Sequence, residues 1–159
     1  MDIFAHALWS WLLFSSFGNI FLIILFGVLP DLIPFSPTTI QIFAKFKFKT
    51  FKKWKHPQEM EKQIPKYTHF VYNITHSFVT VIILAIILYI FAKPYAVLML
   101  PWTFHILVDI PTHKKEFFPT RFLYPISDFC IDGISWATSW FMILNYSLIA
   151  IGIVIKIFF

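Results

Sequence analysis

Apolar residues fall into four long stretches, Ile3 to Leu29, Phe70 to Ala92, Tyr95 to Val108 and Ile134 to Phe159, with most charged residues between them. A helix of about 20 apolar residues crosses the roughly 30 Å of hydrocarbon in a bilayer. All but the third stretch reach that length, and Tyr95 to Val108 is expected to lie tilted or half buried. The pattern predicts an all-α fold: a polytopic transmembrane helical bundle of about four segments, forming one domain over residues 1–159.

Ser15, Ser16, Gly18 and Asn19 interrupt the first stretch. Two arrangements follow. One continuous helix, at about 1.5 Å per residue, sets His6 about 40 Å from Asp31, across the bilayer, and leaves both termini outside. Two shorter helices folded against each other return His6 to the side of Asp31 and reverse the N-terminus. Pro30, Pro34 and Pro37 are expected to end the first helix, because proline lacks the N–H and clashes with the preceding turn. Neither an internal repeat nor a low-complexity linker is evident.

Composition strengthens the membrane reading: 58% of residues are hydrophobic and 13% charged, an excess that needs lipid as solvent. The opening Met1-Asp2-Ile3-Phe4 lacks the basic region of a removable signal, so the first segment is expected to be retained. The lone Cys130 sits among apolar residues and is read as packing.

The net charge of +5 is concentrated in one loop, so it argues for a membrane surface and against nucleic acid. In the 31–66 loop Lys45, Lys47, Lys49, Lys52, Lys53, Lys55, Lys62 and Lys66 are offset only by Glu59 and Glu61. The positive-inside rule puts this loop in the cytoplasm. Its alternation of lysines with Phe46, Phe48, Phe51 and Trp54 fits an interfacial segment on anionic headgroups, and equally a solvated loop that only fixes topology. A second internal loop then carries Lys114, Lys115 and Arg121, and the last segment runs outward to Lys156.

The polar residues of the apolar segments are where chemistry is expected, because ionisable groups at membrane depth are costly. Asp31 closes the first segment; His69, Asn73 and His76 open the second; His105 and Asp109 close the third; Asp128 and Asp132 precede the fourth. In this topology all lie at the cytoplasmic end. Spacings of three, four and seven place His69, Asn73 and His76 on one helix face and His105 with Asp109 on another. Pro111 is expected to break the third helix just after Asp109, freeing His113 to turn back. Imidazoles with carboxylates and no thiolate suit zinc, manganese or iron and are too rich in nitrogen for calcium. One or two divalent ions are expected, zinc first, with Asp109 able to bridge a pair. His56, in the basic loop, is left outside this set.

Ala5-His6, Leu29-Pro30-Asp31, Thr75-His76-Ser77 and His105-x-x-x-Asp109 followed by Thr112-His113 occur in an order that resembles the YdjM-like membrane-bound metal-dependent hydrolases of bacteria and archaea, a family thought related to zinc-dependent phospholipase C. The likeness spans most of the chain. It implies Asp31, His69, His76, His105 and Asp109 as ligands, with His6 and His113 as further candidates. Members carry an acidic residue or histidine soon after the Leu-Pro-Asp element, whereas Leu32-Ile33-Pro34-Phe35 follows here, which bears on metal number.

The function expected is hydrolysis of a phosphoester or related ester of a membrane lipid by metal-activated water, on the cytoplasmic face of a bacterial or archaeal inner membrane. His113, Asp128 or Asp132 would carry the proton, and Lys114, Lys115 and Arg121 would hold an anionic headgroup or simply set topology. A lipid amide is the variant substrate. The alternative is a non-catalytic metal protein, a transporter subunit or metal-stabilised scaffold, although the outer halves of segments two to four offer almost no polar path for transport. Oligomeric state is not specified by these features.

Overall fold

The computed structural model describes residues 1–45 and 64–158, and all regular structure among them is helical. Most of the basic loop, with the aromatic residues interleaved in it and His56, lies outside the described residues. The described residues form six α-helices: α1 Ile3–Phe14, α2 Ile20–Lys45, α3 Lys66–Thr75, α4 Phe78–Phe91, α5 Met99–Thr112 and α6 Ser139–Phe158.

Ile20–Pro37, Lys93–Thr112 and Ser139–Phe158 are each long and apolar enough to cross a membrane. The pair Lys66–Thr75 and Phe78–Phe91, bent by 59°, makes a fourth span if it acts as one. Outward-facing Ile82, Ile83, Ile86, Ile87, Ile90 and Phe91 on α4, and Ile143, Ile151 and Ile155 on α6, remain exposed. Such a surface is stable only against lipid or other apolar cover.

The first apolar stretch is two helices, not one. Asp2 caps α1 by accepting from the N–H groups of Phe4 (3.1 Å) and Ala5 (3.0 Å). A short 3-10 turn, Ser15–Phe17, and Gly18 end it, and Asn19 caps α2 by accepting from Phe21 (3.0 Å) and Leu22 (3.2 Å). The two cap signals reverse the chain, and α1 folds back on α2. Of the two arrangements open at the sequence level, the folded one is observed.

Helix α1 also lies along α6, running in the same direction: Tyr146 donates to Asp2 (2.8 Å), and Lys156 donates to the carbonyl of Leu12 (3.0 Å). Trp9 donates to Asn145 (3.0 Å) between them. Met1, Ala5 and Ile149 form the buried seam. A larger core joins Val81, Met99, Trp102 and Ile106 to Phe26 and Leu29 of α2.

The expectation that Pro30, Pro34 and Pro37 end the first helix is corrected: α2 runs through all three. The reason lies in the neighbours. Pro34 has no N–H for the carbonyl of Pro30, which sits four residues earlier, and Thr75 Oγ1 donates to that carbonyl instead (2.8 Å). At the second break Ser77 caps α4 by accepting from Val79 (3.1 Å), so the bend falls at His76. Helix α5 includes Pro111 and stops at Thr112, after which His113 is extended.

Gly27 lets α1 come close to α2, because a Cβ there would overlap the side chain of Ser10. Replacing Gly27 by Ala is expected to destabilise the chain by about 1–3 kcal/mol, as overpacking does. Adding Ser10→Gly should recover most of the loss, read as unfolding midpoints in a detergent titration.

Candidate metal centre

Asp31, His76, His105 and Asp109 converge from α2, the α3–α4 bend and α5, and their ligand atoms lie within 4.8 Å of one another. This group can hold a metal ion. His76, His105 and Asp109 are fully buried, and Asp31 is the member with residual exposure, its side chain at 15%.

The local fold aims each imidazole. His105 Nδ1 lies 2.7 Å from the carbonyl of Gly27, and a carbonyl only accepts, so Nδ1 carries a proton and, in the neutral imidazole, Nε2 carries the lone pair. His76 Nδ1 lies 3.1 Å from the carbonyl of Tyr72 and 3.1 Å from Thr75 Oγ1, which itself donates to Pro30. In the neutral His76, with Nδ1–H on the Tyr72 carbonyl, Nε2 likewise carries the lone pair. This is the outer support that metal-binding histidines use to fix tautomer and ring orientation.

His76 Nε2 and His105 Nε2 face each other, 3.1 Å apart. Two carboxylates complete the group. Asp31 Oδ1 is 3.4 Å from His76 Nε2 and 3.7 Å from His105 Nε2, and Asp109 Oδ2 is 3.4 Å and 3.3 Å from the same atoms. Bonds of about 2.0–2.2 Å, arranged as a tetrahedron, have edges of about 3.3–3.6 Å, and these separations scatter around that range. Asp109 Oδ2 is buried with no hydrogen-bond partner. Buried carboxylates are costly unless cations offset them; the Met1 amine reaches Asp109 Oδ1, and a divalent cation between the four ligand atoms would offset the remainder.

His6 joins this neighbourhood because α1 folds back. Its ring stacks on His105, centroids 3.5 Å apart, and its Nε2 is 3.1 Å from Asp109 Oδ1. The Met1 amine also contacts Asp109 Oδ1. His113 is buried, its Nδ1 donating to the carbonyl of Asp109 (3.1 Å) and lying 3.7 Å from Asp109 Oδ1. Burial holds the His113 imidazole down to about 4, against the opposing pull of Asp109.

Other expected site residues stand apart from the four. His69 stacks on Phe118 (4.5 Å) in an aromatic layer with Phe35 and Tyr72, rather than joining the cluster. Phe118 is buried with a left-handed φ of 47°. Asp128 is exposed and paired with Arg121 (3.1 Å), and Asp132 accepts from the backbone of Lys115 (3.0 Å). Lys114 and Lys115 are exposed just past His113. The supporting shell of Gly27, Pro30, Tyr72 and Thr75 was not expected. Its one signal was Thr75, adjacent to His76 in Thr75-His76-Ser77.

Comparison of the chain with protein-family models, with curated proteins and with solved structures finds no match.

Substituting His105 or Asp109 by Ala is expected to remove stoichiometric metal from the purified protein, whereas His69→Ala, Asp128→Ala and Asp132→Ala should retain it. Elemental analysis at matched helix content checks this, and retention in His105→Ala would contradict the assignment.

Proposed function

We propose that this chain is a metal-dependent hydrolase of the YdjM-like type that cleaves a phosphoester or related ester of a membrane lipid. The observation that carries the reading is the lopsided burial of the centre: three ligands are sealed, while Asp31 keeps access on one side. A catalytic ion needs such an opening, whereas a structural ion is closed off. Zinc is the preferred ion, because two imidazoles and two carboxylates at tetrahedral spacing suit it, with manganese or iron as the other candidates.

When bound, the ion would supply an acidified water and polarise the ester oxygen. The residues of the chain divide the remaining work. Gly27, Tyr72 and Thr75 hold the imidazoles in the ligating tautomer. His113 is the proton-carrier candidate that touches Asp109, whereas Asp128 and Asp132 are engaged by Arg121 and the Lys115 backbone. Lys114 and Lys115 follow directly and can attract an anionic headgroup. The density of lysine in the 31–66 loop supports a cytoplasmic face for this end.

A metal-stabilised scaffold is the second reading, favoured by the count of four protein ligands, which can close a tetrahedral sphere.

The two readings separate on activity. Purified protein in anionic vesicles, loaded with zinc, is expected to release phosphate-bearing headgroup from a labelled phospholipid, and Asp109→Ala should slow release by at least 100-fold. Full metal occupancy without hydrolysis of any phospholipid, lysolipid or lipid-amide probe would favour the scaffold.

A further inference from the structure

The segment joining α5 to α6 has no helix over residues 127–135, yet it is pinned to the elements that carry the four-residue centre. The N–H groups of Gly133 and Ile134 donate to the carbonyls of His113 (2.9 Å) and Pro111 (2.8 Å), just past Asp109. Farther back, Phe78 donates to the carbonyl of Phe122 (2.9 Å) and Ser77 Oγ to that of Tyr124 (2.5 Å), just past His76. Phe118 and Thr120 are buried on the inner side. Leu123, Ile126, Phe129, Ile131 and Ile134 are instead exposed, Ile126 the most at 78%. Single exposed apolar residues are ordinary, whereas five in one short segment form a patch that calls for cover.

Three observations decide what covers it. The patch runs on into exposed Trp140 and Ile143 of α6, and the Phe70–Tyr124 contact (6.4 Å) joins it to exposed Phe70 of α3, so it continues the outward surface of helices apolar enough to cross a membrane. Irregular backbone cannot lie in hydrocarbon, because its N–H and C=O groups need water or protein partners, so the segment stays at the rim. Charge does not hold it there: Lys114, Lys115 and Arg121 are balanced by Glu116, Asp128 and Asp132, and Arg121 is paired with Asp128 (3.1 Å).

We propose that residues 123–134 are an interfacial seat, with the backbone at headgroup level and the five apolar side chains dipping into the boundary between headgroups and acyl chains. The partner is the lipid surface itself, of either charge type. Because the segment is tied to the residues just after His76 and Asp109, its depth sets the height of the four-residue centre relative to the headgroups. The proposal rests on the membrane reading of the helices and is independent of what the centre binds.

The test uses Cys130, the single cysteine of the chain, as a native site for a nitroxide label. Ile126→Cys in a Cys130→Ser background labels the outermost side chain, and Ile151→Cys in the same background marks the lipid-facing middle of α6. The full chain is placed in phosphatidylcholine vesicles, with and without added phosphatidylglycerol. Power-saturation electron paramagnetic resonance then compares collisions with oxygen and with a water-soluble nickel chelate. Labels at 126 and 130 should favour oxygen, at a depth of about 5–10 Å into the boundary, shallower than the label at 151 and equal in both lipids. Full access to the chelate, as in water, would overturn the seat, as would a depth equal to that at 151. Insertion only with the anionic lipid would assign the hold to charge, and dipolar broadening or exclusion of both reagents would assign the cover to a second copy or to protein; each overturns the proposal. If the substituted chains do not fold, the label on native Cys130 decides alone.

Discussion

Two carboxylates and two imidazoles meet in the interior of this bundle, and keeping their charge balanced is the constraint on which the surrounding structure depends. The Nδ1–H of each imidazole is committed outward to a backbone carbonyl, which turns both Nε2 atoms inward toward the carboxylates. Buried and unneutralised, such a group would push the helices apart. With a divalent cation it does the opposite, linking α2, the α3–α4 bend and α5 at one point.

The prolines of α2 belong to the same arrangement. Pro34 frees the carbonyl of Pro30, Thr75 satisfies it, and Thr75 in turn lies against His76 Nδ1. A helix defect thus becomes part of a ligand's support, a use of irregular backbone suited to a low-dielectric surrounding. Gly27 serves in a similar way: its carbonyl receives His105, and its missing Cβ admits Ser10 of α1. Close approach of α1 is what carries His6 to Asp109.

Much of this was legible in the sequence. Apolar stretches pointed to an all-helical fold with helices long and apolar enough to cross a membrane, and the i, i+4 spacing of His105 and Asp109 placed both on one face, where they are found. Helical spacing misled for His69 and His76: His76 keeps its helical bond to Tyr72, but seven residues at about 1.5 Å each set the two about 10 Å apart along the axis, so only His76, at the bend, reaches the centre. His69 is left at the aromatic layer. The position of His6 depended on whether Ser15 to Asn19 kinks or reverses the chain, and only the caps and packing of α1 against α2 and α6 decide that. Proline signals failed for α2 because the compensating donor comes from a residue 45 positions away.

The central claim is that Asp31, His76, His105 and Asp109 hold one ion with the two imidazoles bound through nitrogen. X-ray absorption at the zinc edge, on protein carrying a single equivalent of zinc, measures this directly. The account predicts a shell of about four nitrogen and oxygen neighbours at about 2.0–2.1 Å, with the outer scattering of two imidazole rings and no sulfur. A six-oxygen shell without imidazole scattering, or failure to retain the equivalent of zinc, would contradict it.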